Sequence, residues 1–208
     1  MTPTLALEQL MLHPLYGDLI GQIRAVTPTA HLDQDDAAAG HATQIMTAAA
    51  GPTLGTTDTH RLDPGDAPGW LRLGLLDTWI RWTTGTADTC RHQPTHDRPQ
   101  PVIAAAWKPG LVVCPDCAML TAAPRTADTT CDACGHQCGD LASGGGIYAG
   151  MVQLGPLIYQ YGTCADCRPA ITEQSSPPSA THTPEPATPR GTGRGRAGRP
   201  HNRRRRPR

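Results

Sequence analysis

Apolar positions are spread unevenly along this chain. From Leu5 to Val26 they include Leu5, Leu12, Leu15, Leu19, Ile23 and Val26. That spacing suits one face of an α-helix, which Pro14 and Gly17 are expected to break or kink because proline lacks the N–H a helix interior needs. Thr27-Pro28-Thr29 reads as a further break. Asp33 to Ala49 is alanine-rich, with Asp33, Asp35 and Asp36 grouped early. Carboxylates favour the positive end of a helix dipole, so a second helix is expected there, stopped at Ala50-Gly51-Pro52. Residues 51–69 are loop-like, rich in glycine and proline. A third helix is expected from Trp70 to Thr83, where Trp70, Leu71, Leu73, Leu75, Leu76, Trp79, Ile80 and Trp82 cover more than one face. Such a helix either packs in a core, the simpler expectation, or offers Trp70–Trp82 as a docking face to a protein partner.

Past Cys90 the texture becomes extended. Val102–Trp107 and Leu111–Val113 flank the turn tripeptide Lys108-Pro109-Gly110, and so predict a hairpin running into Cys114. Ile147–Leu154 and Leu157–Tyr161 flank Gly155-Pro156 and predict a second hairpin running into Cys164. Two hairpins, each delivering a Cys-x-x-Cys pair, are the nearest thing to an internal repeat. From Thr172 onward the only apolar side chains are Ala180, Ala187 and Ala197, and seven prolines are interspersed. Such a segment buries too little apolar area to offset chain entropy and is expected to be disordered. The fold class expected is therefore α+β: a helical region at 1–85, a small β-hairpin metal-binding domain at 86–170, and a tail at 171–208.

Composition sharpens this division. With 22 glycines, 21 prolines and no phenylalanine, the chain cannot close one core around every residue. A thin core needs a staple, and the staple on offer is metal. The net charge of zero also conceals an asymmetry. Up to Arg168 there are nine basic residues against sixteen acidic ones, and beyond it nine arginines against Glu173 and Glu185. An acidic body with a basic tail points to an anionic partner. No basic n-region precedes an apolar run at the amino end, and the uncharged run Ser143–Ala165 is interrupted by glycines and Pro156. No membrane segment is expected, and the location expected is cytoplasmic.

The candidate chemistry lies between Cys90 and Cys167. Cys90-Arg-His92, Cys114-Pro-Asp-Cys117, Cys131-Asp-Ala-Cys134 and Cys164-Ala-Asp-Cys167 hold seven of the eight cysteines, and Cys138 is the eighth. Two residues between cysteines allow a turn tight enough for both sulfurs to face one point, and two such pairs complete the tetrahedron that suits zinc. Two Zn2+ ions are expected. The central pairs lie at nearly the usual spacing, so one set is expected from Cys114, Cys117, Cys131 and Cys134, and a second from Cys90, His92, Cys164 and Cys167. His136 and Cys138 stand close enough in sequence to substitute in the second. Disulfides or a thiol-redox pair are the alternative uses of these cysteines, but no export signal and no single motif beside a βαβ unit support them.

Cys114, Cys117, Cys131, Cys134 and Gly135 resemble the knuckles of zinc-ribbon and related zinc-knuckle folds over residues 100–165. The wider pattern of a Cys-x-His, three Cys-x-x-Cys pairs and a Gly-Pro hairpin is similar to an uncharacterised cysteine-rich domain of actinobacterial proteins. Neither resemblance implies an activity, since such folds serve nucleic-acid contact, protein contact or stability. The His-x-Glu motif of a zinc deaminase is missing, so no catalytic residues are expected. The tail supplies the second candidate site, at Arg194, Arg196, Arg199, Arg203, Arg204, Arg205, Arg206 and Arg208. Guanidinium is a planar multidentate donor to phosphate, and Gly198-Arg199-Pro200 resembles in part the core of an AT-hook. The reading that follows is a zinc-stabilised, non-enzymatic protein whose tail contacts nucleic acid, with a protein-interaction module as the alternative.

Overall fold

The computed structural model describes residues 1–54, 64–124, 129–139 and 145–172. The arginine tail, including all eight of its candidate contact residues, lies outside the described residues. Helices α1 (Pro3–Met11), α2 (Tyr16–Val26), α3 (Thr29–Leu54) and α4 (Gly69–Thr83) come first, followed by strands β1 (Asp88–Thr89), β2 (Val102–Ala105) and β3 (Leu111–Val112). A 3-10 helix (Pro115–Thr121), strands β4 (Tyr148–Leu154) and β5 (Leu157–Thr163), and a short α5 (Pro169–Thr172) complete the order. This is an α+β arrangement of helices with small sheets.

The first two helices separate around Pro14, as expected. Thr2 caps α1, its hydroxyl accepting the Leu5 N–H at 3.4 Å, and Pro3 stands in the first turn where no N–H is needed. Neither helix contributes a buried residue, and Leu12, Leu15, Ile23 and Val26 remain exposed. Their helical spacing is real, but among the described residues it does not become core. Instead α1 is tied to α4 by polar contacts. The Arg72 Nε sits 2.9 Å from the Glu8 carboxylate, both largely shielded from water, and the Thr4 hydroxyl donates to Asp77 at 3.2 Å. Helix α3 begins at Thr29 and passes through Gly51 and Pro52 to Leu54, outrunning the stop expected at Ala50. A proline so near the end forfeits a single ladder hydrogen bond, which does not terminate the helix here.

Strand β5 lies at the centre of a three-stranded sheet of order β2-β5-β4. It pairs antiparallel with β4 across the Gly155-Pro156 turn, as expected, and parallel with β2 in the register Val102↔Leu157 to Ala105↔Gln160. The other expected hairpin is much reduced. Leu111–Val112 pairs in parallel with β1, and only Ile103 and Val113 exchange antiparallel hydrogen bonds, at 2.8 and 2.9 Å. β2 faces β5 with its other edge; on this edge the Lys108 N–H turns back onto the Ala105 carbonyl at 3.1 Å, so Ile103 alone is left to pair with Val113.

Side-chain alternation assigns each sheet face to a helix. Val102 and Ala104 of β2, with Leu157, Tyr159 and Tyr161 of β5, pack on Leu71, Leu75 and Trp82 of α4. Ile103 and Ile158 point the other way, into a cluster with Ala42 of α3, Val113, Cys90 and Cys114. The tryptophan-rich helix is thus used as core. Trp82 is buried and Trp70 meets Tyr161 edge-on, with centroids 5.9 Å apart. Helices before residue 85 and strands after it share these two clusters. No described helix is long and apolar enough to cross a membrane.

Candidate metal centres

Each knuckle is held by its own backbone. Parallel pairing of β1 with β3 aligns Thr89 with Val112, so Cys90 and Cys114 leave the same end of that small sheet. Cys90 opens a turn closed by the Gln93 N–H on the Cys90 carbonyl at 2.9 Å. Gln93 is the only non-glycine residue at positive φ among those described, at 46°, a conformation that L side chains rarely adopt. Pro94, the next residue, is buried and its carbonyl accepts the Trp82 indole N–H at 2.9 Å, which anchors the turn to α4. That bend carries His92. Cys114 precedes the 3-10 helix, whose first turn sets the Cys117 N–H on the Cys114 carbonyl at 3.0 Å.

The second pair of knuckles is built on β5. The Cys167 and Arg168 N–H groups return to the Cys164 carbonyl at 3.2 and 3.0 Å, and the Arg168 guanidinium stacks over Tyr148 at 4.6 Å. In the Cys131 knuckle, Gly135 donates to the Cys131 carbonyl at 2.8 Å with φ of 72°, which glycine adopts without strain. Asp132 docks this knuckle on the strand: its N–H donates to the Gly162 carbonyl at 2.9 Å and its carboxylate accepts the Gly162 N–H at 2.6 Å. A Cβ at Gly162 would fall 2.5 Å from the Ile147 Cγ2 but 3.7 Å from the Asp132 carboxylate, so it is the packing of Ile147, not the docking of the knuckle, that disfavours a side chain there.

All eight expected ligands converge, but in different fours. Cys90, His92, Cys114 and Cys117 form one set, and Cys131, Cys134, Cys164 and Cys167 the other, with donor atoms inside each set within 4.8 Å of one another. The grouping of Cys114 and Cys117 with Cys131 and Cys134 is therefore corrected, along with the grouping of Cys90 and His92 with Cys164 and Cys167. The physical reason is that each set closes around one hairpin-like unit, using the knuckles just before and just after it. His136 and Cys138 belong to neither set. Order along the chain held the signal that spacing missed: knuckle, hairpin, knuckle and short helix occur twice in succession.

The distances within each set fit a tetrahedral ion. A metal with sulfur bonds of about 2.3 Å keeps its sulfurs about 3.8 Å apart. The Cys90 and Cys114 sulfurs are 3.7 Å apart, and those of Cys134 and Cys164 4.0 Å. The His92 Nδ1 lies 3.2 Å from the Cys114 sulfur and 3.4 Å from that of Cys117. All eight cysteines are free thiols.

Electrostatics add a second argument. Burial pushes the Cys131 thiol up, but the amides of Cys164, Cys134 and Ala133 outweigh this and bring it down to about 7. The Cys164 N–H donates to that sulfur at 3.3 Å. Cys90 is likewise raised by burial and lowered further by amides of Cys114 and His92. Their neighbours move the opposite way. Cys117 is pushed up to about 11 by burial and by the thiols of Cys114 and Cys90, and Cys167 upward chiefly by Cys164. Crowded sulfurs resist ionising together, and a divalent cation at the centre removes that resistance. Comparison of this chain with protein-family models, with curated proteins and with solved structures finds no match.

Proposed function

We propose that this chain is a zinc-stabilised, non-enzymatic binding protein whose arginine-rich tail contacts nucleic acid with little sequence preference. The observation that carries the first half is the completeness of both sets. Four protein donors fill a tetrahedron and leave no position for water or substrate, which is the arrangement of structural rather than catalytic zinc. Thiolate and imidazole donors together favour zinc among the common divalent ions. Protein purified without chelator is expected to carry two equivalents of zinc by elemental analysis. Because ligation deprotonates the cysteines, uptake near pH 7 should release protons and acidification should release the metal. Near-zero metal with oxidised thiols would return the cysteines to disulfide chemistry.

Support for the second half is charge: nine arginines in residues 190–208, spaced by glycine, on a body with an acidic excess. With five or six arginines engaged, each contact should contribute about −0.9 to the slope of log affinity against log salt on duplex DNA, for a slope of about −5. Ending the chain after Thr172 keeps Ile171, which packs in the core. That truncation should abolish most binding while leaving metal content unchanged. Retained affinity and slope would make the folded body the reader. If the intact chain binds neither DNA nor RNA, the protein-interaction reading takes over. One observation favours that reading: Met119 and Leu120, beside Cys117, are 82% and 50% exposed.

A further inference from the structure

The second set has a fifth thiol beside it. Residues 129–138 form a small antiparallel turn in which Thr130 pairs with Gln137. The Cys131 N–H donates to the His136 carbonyl at 2.9 Å, and the Cys138 N–H donates to the Thr129 carbonyl at 2.6 Å. Thr130 and Gln137 direct their side chains to one face, where the Gln137 amide donates to the Thr130 hydroxyl at 3.1 Å. Alternation then places Cys131, His136 and Cys138 on the opposite face, which is the face of the metal set. The Cys138 thiol is half-buried and lies 3.7 Å from the His136 carbonyl, the same oxygen that accepts the Cys131 N–H.

Within the set the four ligands are not equally secure. Cys131 and Cys164 are buried and Cys167 is half-buried, whereas Cys134 is exposed. Cys134 is also the ligand closest in sequence to Cys138, separated from it by Gly135, His136 and Gln137. An exchange between the two needs only that short segment to move, leaving Cys131, Cys164 and Cys167 in place.

We propose that Cys138 is a reserve ligand that takes the place of Cys134 at the second metal centre. This rests on the metal-site reading above. In the exchange the Cys138 thiol gives up its proton as its sulfur bonds the metal, and the departing Cys134 sulfur takes one up. Charge and proton count are unchanged. When Cys134 is instead alkylated or lost, the Cys138 proton passes to solvent and the centre keeps its ion.

Cobalt(II) titration of the full chain tests this, because thiolate-to-cobalt charge-transfer absorption reports the thiolates bound. Cys134→Ser should take up two equivalents with the wild-type charge-transfer intensity. The double variant Cys134→Ser, Cys138→Ser should lose the second equivalent. Its first set, with His92, should still fill and so reports that the chain is folded. Alkylation of the loaded proteins followed by mass spectrometry gives an independent readout. Cys138 should be modified in the wild type and protected in Cys134→Ser. The proposal is overturned if Cys134→Ser takes up one equivalent, or takes up two while Cys138 remains open to alkylation. A wild-type chain with fewer than two equivalents would overturn the metal reading and this one with it, before any variant is made.

Discussion

A chain carrying Cys117→Ser and Cys131→Ser together is expected to hold no metal, whereas one carrying Cys90→Ser and Cys117→Ser keeps one equivalent. The two double variants separate the observed ligand sets from those suggested by sequence spacing. Cys117 and Cys131 lie in different sets, so their joint loss opens both; Cys90 and Cys117 share a set, so their joint loss opens one. If the central knuckles shared an ion, the two results would be exchanged. The structural effect should be large, because structural zinc contributes on the order of 10 kcal/mol of apparent binding free energy that is also folding free energy. Cys90 and Cys114 are part of the cluster with Ile103, Val113 and Ile158. Opening the first set therefore frees core residues, and hydrogen exchange should accelerate first around Ile103 and Val113. Elemental analysis of the two variants, with exchange measured on each, gives the answer.

What the sequence made legible was local. The break at Pro14, the extent of α4 and the β4–β5 hairpin follow from proline geometry, apolar spacing and a Gly-Pro turn, all read within a few residues. The identity of the candidate metal donors was legible for the same reason, since a knuckle is a two-residue turn. Which knuckles meet is a long-range property. It depends on β1 lying parallel to β3 and on β2 lying parallel to β5, and neither pairing leaves a trace in spacing. Val102 to Ala105 shows the difficulty: all four residues are buried, so no alternation marks which neighbour each one faces. Cys90-Arg-His92 has one intervening residue, a tighter spacing than the two of a usual knuckle. The fold accommodates it through the left-handed Gln93, a backbone state that no residue preference at that position advertises.

Gln93 is linked to the other large effect, expected from Trp82→Ala. The indole is buried between the sheet and the Cys90–Pro94 turn, packs edge-on against Trp79 with centroids 5.4 Å apart, and donates to the Pro94 carbonyl. Removing it should cost about 3–5 kcal/mol through lost burial and the cavity left behind, with the Pro94 carbonyl also losing its donor. The damage should be uneven. Pro94 is the anchor of the turn that Gln93 closes and that presents His92, so affinity at the first metal set should fall while the second set is spared. Urea unfolding gives the stability change, and cobalt titration resolves the two sets by the imidazole-containing spectrum of the first. Equal weakening at both sets would mean that Trp82 supports the body in general rather than the turn. Gln93→Gly provides the complementary measurement. Glycine adopts that φ without a Cβ clash, so relieving it should raise stability by about 1 kcal/mol. Metal uptake at both sets should be retained, because the turn keeps its shape.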